Sequence, residues 1–389
     1  MKTARMKFRD FGKLDWKVSA LGFGCMRLPS TDGKRASPNV NEAEAIRMIR
    51  YAIDQGVNYV DTAYPYHGGN SEVVLGKALR DGYRQRVKLA TKLPTWMVQA
   101  PADFDRLLDE QMRRLQTEHI DFYLLHSLSH TRWRDFVLKH NLLGKAEQAI
   151  KDGRIGYLGF SFHDNHEAFV EVLNGYDRWT FCQIQYNYMD TEGQAGSKGL
   201  ALAAAKGLAV VVMEPLLGGR LADPPLAVRE LFEGCEIQRP AVDWALQWVW
   251  DQPEVSVVLS GMSSMDQVVA NLASAGHSQP KSFSATEFRL IAQVQQEYRK
   301  RIAVPCTRCG YCEPCPNGVN IPVNFEYFNY AHLYDDIPGA RFKYQVFLTP
   351  EQRAEACIVC KNCEEQCPQK ILISEEMPKV AALLKETNA

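Results

Sequence analysis

NYVDTAYPYHGGNSEVVLGKALRD, residues 58–81, holds three local signals in one stretch. It opens with a short β-rich apolar run, NYVDTA (58–63), and crosses a loop of tyrosine, proline, histidine and glycine. It then continues into SEVVLGKALRD (71–81), where apolar side chains recur at helical spacing. Proline and glycine between two periodic segments mark a turn, so the stretch reads as one strand–loop–helix unit.

Outward from this unit the same pattern recurs. ALGFGCM (20–26) precedes NEAEAIRMIRYAIDQG (41–56), whose Asn41 and Glu44 sit where a helix start wants them. VKLATKL (87–93) leads to a helix near 101–116, and IDFYLLH (120–126) to one near 133–152. IGYLGFSF (155–162), FCQIQYN (181–187), LAVVVMEPL (208–216) and VSVVLSG (255–261) complete the series, each followed by a helical pattern. Eight such units at this spacing predict an α/β fold of the (β/α)8 TIM-barrel type. KFRDFGKLDWKVS (7–19) reads as a hairpin closing the barrel floor, and SATEFRLIAQVQQEYRKRI (284–302) as a further amphipathic helix. Beyond it, prolines, asparagines and cysteines replace the strand–helix rhythm. The expected division is a barrel over 1–300 and a small cysteine-rich helical and loop domain over 301–389.

Bulk properties narrow the function classes. Apolar residues make up 46% of 389, enough for a large core. A net charge of −1 without a long basic block gives no support to nucleic acid or a membrane surface as partner. MKTARMKFRDFG lacks the apolar stretch of a signal peptide, and no apolar run approaches the ~18 residues of a membrane span. The longest, LAVVVM (208–213), reads as a buried parallel strand. Of eleven cysteines, Cys25, Cys182 and Cys235 are scattered and read as packing residues, whereas eight lie between 306 and 367. Without an export signal, such a cluster implies metal binding in a reducing, cytoplasmic setting.

Barrel sites form where strands end. Asp61, Lys92 and His126 stand at the ends of the second, third and fourth strands, and Tyr66 follows Asp61 on its loop. An unperturbed phenol, with a pKa near ~10, is a weak acid at neutral pH. A neighbouring Lys92 cation is expected to lower that pKa, with Asp61 holding the lysine. His126 can orient a carbonyl oxygen, and Tyr66 can give it a proton as hydride reaches carbon. His130 and His163, in loops that would shape a pocket, read as solvated.

These residues carry a family resemblance. YVDTAYPYHGGNSEVVLGKAL, LATKL and FYLLH resemble the signatures of the aldo-keto reductases, as do VSALGFGCMRLP, RIGYLGFSF, QIQYN and EPLLGG. The resemblance covers roughly 7–275 and places the family's Asp, Tyr, Lys, His tetrad on Asp61, Tyr66, Lys92 and His126. It implies a small carbonyl or alcohol substrate and NAD(P)H bound over the strand ends. Ser161 and Gln185 fall at carboxamide-holding positions, Met213 where an aromatic commonly stacks, Gly218 and Gly219 in the following loop, and Asn271 at an adenine contact. Phe162 replaces a usual asparagine. Gln267 stands where many members carry an arginine for the 2′-phosphate, so NAD versus NADP stays open.

The tail contains CTRCGYCEPCP, with Cys306, Cys309, Cys312 and Cys315, and CIVCKNCEEQCP, with Cys357, Cys360, Cys363 and Cys367. The second has bacterial ferredoxin spacing; the first is one residue tighter before its last cysteine. In two-cluster ferredoxins the fourth cysteine ligates the other cluster. The expected sets for two 4Fe–4S clusters are therefore Cys306, Cys309, Cys312, Cys367 and Cys357, Cys360, Cys363, Cys315. Structural zinc is the alternative. Prolines 305, 314, 316, 322, 338 and 350 break the apolar runs, which predicts a domain with little core of its own. The whole chain resembles the ferredoxin-fused branch of the aldo-keto reductases. Nicotinamide passes two electrons as hydride and each cluster one. The clusters then serve a redox protein partner, structure or sensing, or feed the barrel directly; the retained tetrad argues against the last. An electron carrier on an inactive barrel is the non-enzyme reading.

Overall fold

In the computed structural model, which describes residues 5–34, 36–306, 308 and 310–385, the eight runs pair in parallel and close on themselves. A hairpin of β1 (Phe8–Phe11) and β2 (Leu14–Ser19) precedes them. The barrel strands are β3 (Leu21–Gly24), β4 (Tyr59–Asp61), β5 (Lys88–Leu93), β6 (Ile120–Leu128), β7 (Ile155–Phe162), β8 (Phe181–Gln185), β9 (Ala209–Met213) and β10 (Val255–Gly261). They neighbour one another in chain order, and β10 closes the ring between β9 and β3. A helix follows each strand, from Glu42–Asp54 after β3 to Met265–Ala275 after β10. The first starts as read, with the Asn41 side chain accepting the Glu44 N–H.

Side chains alternate along a strand, so every second residue of a barrel strand points inward. Tyr59, Ala90, Phe122, Leu124, Phe181 and Val211 belong to one buried apolar cluster. Two residues further along their strands stand Asp61, Lys92, His126, Gln183 and Met213. The same parity that builds the core therefore aims polar groups at the C-terminal rim.

The hairpin closes the opposite end, as its sequence suggested. Phe11 is fully buried in that apolar cluster, its ring 4.6 Å from Phe122 and 5.8 Å from Phe181 by centroids. Trp16 lies 5.4 Å from Phe11. The turn depends on Gly12, at φ 56: a Cβ there would meet the Ala209 nitrogen at 2.5 Å.

Two compact units form: Met1–Gly219 with Val242–Phe283, and Arg220–Ala241 with Ser284–Ala389. The composition change near 301 is thus not where packing divides. Helix Ala285–Arg299 belongs to the second unit and packs on helix Leu226–Glu233 there. Nor is the cysteine-rich region poor in core. Helices Ile321–Tyr334, Ile337–Phe347 and Ile373–Leu384 bury Phe325, Phe328, Tyr344, Met377 and Leu384 in one cluster. Pro322 and Pro338 occupy first-turn positions, where a missing N–H costs nothing, so they start helices instead of breaking them. Among the described residues no helix is long and apolar enough to cross a membrane.

Phe11→Ala should destabilise the barrel by about 3–5 kcal/mol, the usual range for emptying a buried phenylalanine site. Urea unfolding followed by tryptophan fluorescence reads this as a lower midpoint; an unchanged midpoint would show that the ring does not fill the floor.

Candidate active site and cysteine-lined cavities

The four rim residues named from sequence meet. Lys92 Nζ donates to Asp61 Oδ1 at 2.5 Å and to the Thr62 carbonyl at 2.7 Å, and both side chains of the ion pair are almost fully buried. The same ammonium lies 5.0 Å from the Tyr66 ring centre. The His126 ring stands edge-on to Tyr66 at 6.0 Å, and Trp96 packs 5.1 Å from His126. The loop carrying Tyr66 is pinned by His67, buried at φ 54: its Nδ1 lies 2.6 Å from the Ser37 carbonyl and its Nε2 accepts the Leu28 N–H.

Burial sets the protonation states. It alone would pull the Lys92 ammonium down, but Asp61 and the Tyr66 phenol outweigh it and the lysine stays charged. Burial pushes the Asp61 carboxyl up while Lys92 pulls it back. Burial drives His126 well below the ordinary imidazole value, assisted by the positive charges of Lys92, His163 and Arg132. His126 is therefore neutral, a hydrogen-bond donor and not an acid. Tyr66 corrects the sequence-based expectation. Its pKa is raised, because the desolvation of a buried phenolate exceeds the stabilisation Lys92 supplies.

A supporting network escaped the sequence reading. Gln111 Nε2 donates to the Lys92 carbonyl at 3.0 Å and to Glu72 Oε1 at 2.7 Å, and Tyr123 donates to Gln111 Oε1. Thr91 also donates to Glu72, and Arg114 pairs with its other oxygen. The available signal was Glu72 itself, a carboxylate inside an otherwise apolar helix face.

The nucleotide candidates are more scattered. Ser161 Oγ accepts the Ser127 N–H at 2.7 Å, which leaves its hydroxyl proton free to donate. Gln185 is already engaged, donating to Asp190 and accepting from Gln194. Gln183, not singled out before, lies directly beside Ser161 in the β7–β8 register, and its buried Oε1 has no partner. Its Nε2 lies 3.7 Å from the Met213 sulfur. Gly218 and Gly219 both take positive φ in the loop after β9, and a Cβ at Gly219 would face open space. Asn271 is buried and donates to Ser260 Oγ, while Gln267 accepts the Ser263 N–H. His130 pairs with Glu171 at the surface.

In the second unit the cysteines line two small cavities. Cys306, Cys312 and Cys367 face the first; Cys315, Cys357, Cys360 and Cys363 face the second. Each run thus sends its last cysteine into the other's cavity. Cys309 lies outside the described residues. Among those described, no group of three or more His, Cys, Asp or Glu side chains is arranged to hold a single metal ion. Ile321 walls both cavities. Its helix also positions the runs: Asn329 exchanges two hydrogen bonds with Val304, and Asn324 donates to the Gln352 carbonyl.

Comparisons agree with both halves. Residues 20–294 match the Aldo/keto reductase family and 305–372 the 4Fe-4S dicluster domain. Probable aldo-keto reductase 1 of Glycine max is 29% identical over 169 residues, 41% of this chain and 46% of that protein's length. The L-galactose dehydrogenase of Arabidopsis thaliana is 29% identical over 291 residues, 69% of this chain and 88% of that protein. An aldo-keto reductase of Bacillus halodurans in its holo form superposes with a TM-score of 0.61 at 30% identity, over 74% of this chain and 96% of that one. An aldo-keto reductase of Klebsiella pneumoniae in complex with NADPH shares the fold alone, at 24% identity and TM-score 0.60 over 75% and 95% of the chains. With a barrel matched over 20–294, this chain belongs to the aldo/keto reductase family of oxidoreductases and carries a 4Fe–4S dicluster domain after the barrel.

Proposed function

We propose that the barrel interconverts a small aldehyde or ketone and its alcohol with a nicotinamide nucleotide, and that the tail holds two 4Fe–4S clusters serving a redox protein partner. The observation that carries the reading is the Lys92 ammonium, buried between Asp61 and the Tyr66 ring at the barrel rim. When bound, the nucleotide supplies or accepts the hydride. Ser161 and the unpartnered Gln183 suit its carboxamide, Gln183 in place of the already bonded Gln185.

The chain supplies the rest. Neutral His126 donates a hydrogen bond that orients the substrate oxygen. Tyr66, kept protonated by burial, transfers its proton to that oxygen, and Lys92 stabilises the phenolate left behind. Asp61 keeps the lysine charged and in place. Cys306, Cys309, Cys312 and Cys367 would hold one cluster, and Cys315, Cys357, Cys360 and Cys363 the other. The cavity linings support this crossed pairing.

Tyr66→Phe should reduce aldehyde turnover roughly 10²–10⁴-fold with nucleotide binding retained, as judged by nucleotide fluorescence. Combined loss of Asp61 and Lys92 should cost far less than the product of the single losses; a multiplicative result would show that they act separately.

The pH profile of reduction should stay level from about pH 6.5 to 9, since His126 is held neutral and Tyr66 protonated throughout, and should fall only above the ordinary tyrosine range near ~10. Lys92→Met removes the charge that opposes burial, so its alkaline break should move further up. A break near pH 7 in the parent protein would contradict the Tyr66 assignment.

Anaerobically purified protein should contain about eight irons and eight sulfides, four of each per cluster. Cys315→Ala should disturb the cluster held by 357–363 and Cys367→Ala the one held by 306–312, read by electron paramagnetic resonance. Stoichiometric zinc in a colourless, folded preparation would overturn the cluster assignment.

A further inference from the structure

At the outer edge of the rim sits a cation that the reaction does not use. Arg132 is half-buried, its guanidinium 4.6 Å above the Trp96 ring, and Trp96 in turn lies 5.1 Å from His126. One N–H donates to the Ser127 carbonyl at 2.8 Å. Ser127 holds a left-handed φ of 57, a conformation unfavourable for serine, and donates its own N–H to Ser161. One strained residue thus ties the arginine to the nucleotide side of the site.

What Arg132 lacks is an anion. Among the described residues no carboxylate forms an ion pair with it. The nearby acids are committed elsewhere: Glu171 spends its two oxygens on His130 and Arg134, and Asp164 accepts the backbone N–H groups of His130 and Asn165. A guanidinium has five donors in a planar fork, and here one protein carbonyl and one aromatic face are its partners. A half-buried charge without a counter-ion is costly, and a bidentate oxyanion is the ligand that matches the fork.

We propose that Arg132, backed by Trp96, binds a carboxylate or phosphate on the substrate, so that the barrel acts on carbonyl compounds carrying an oxyanion a few bonds from the reacting carbon. Trp96 is partly exposed at the mouth, and the guanidinium lies over its face. The proposal rests on the carbonyl-reducing reading of the same site and specifies its substrate class.

The test compares 4-oxobutanoate, its methyl ester and glyceraldehyde 3-phosphate as substrates of the full-length, cluster-loaded protein with NAD(P)H. One charge-assisted bidentate contact predicts roughly a 10–100-fold higher kcat/KM for an anionic aldehyde over the ester. The carboxylate and phosphate arms decide which oxyanion fits. In Arg132→Met that preference should collapse, mainly through KM, while the ester is turned over at the parental rate; Arg132→Lys should restore part of it. Equal kcat/KM for acid and ester in the parent, or a preference that survives Arg132→Met, would overturn the proposal while leaving carbonyl reduction intact. Succinate binding to the nucleotide complex, followed by fluorescence, separates the two readings. Arg132-dependent succinate binding without turnover of any aldehyde would uphold the anion site and sink the reductase reading. Absence of succinate binding, with the ester reduced normally, would sink the anion site alone.

Discussion

A lysine ammonium without solvent is the demand around which the barrel rim is arranged. Removing such a charge from water costs several kcal/mol unless it is paired and hydrogen-bonded. Asp61 and the Thr62 carbonyl meet that need from β4 and its following loop. Their placement requires β4 and β5 to be neighbours in fixed register, and the parallel pairing of Asp61 with Ala90 supplies it. A register slip by one residue would turn Asp61 or Lys92 outward and leave its partner as an uncompensated buried charge. Behind the pair, Gln111, Glu72 and Tyr123 fix the β5 backbone, so the charge is held by the main chain as well as by its counter-ion.

The second unit solves a different problem with one helix. Ile321–Tyr334 offers two asparagines, Asn324 near its start toward Gln352 and Asn329 near its middle toward Val304. Each binds backbone shortly before a cysteine run. Both asparagines are buried, and satisfying backbone groups inside an apolar cluster is what keeps them there. The cysteine loops can therefore be irregular, because their entrances are fixed by regular structure.

Much of this was readable in the chain. Their position at strand ends put Asp61, Lys92 and His126 on one rim, and the spacing of two cysteine runs suggested the exchange of Cys315 and Cys367 that the cavities display. Three features were not. The direction of the Tyr66 shift depends on how much water burial removes, which no residue pattern reports. Gln183 and Gln185 have the same parity, so only the engagement of Gln185 by Asp190 and Gln194 separates them. Prolines 322 and 338 read as breakers because their role depends on whether a helix begins just there. Asn320 and Asp336, the caps immediately before those helices, were the local signs that one does.

The exchange of cysteines between cavities has a topological effect. Any group bridging Cys306 and Cys312 to Cys367 closes a long loop of chain, and a group bridging Cys315 to Cys357 closes a loop nested within it. Loop-closure entropy grows only slowly with length, so most of it is incurred when the first bridge forms. The second bridge then joins ends already held close together, at a high effective concentration of one thiol near the others. In a chain not yet folded, filling one cavity would thereby prepare the other, and the two would be expected to fill together.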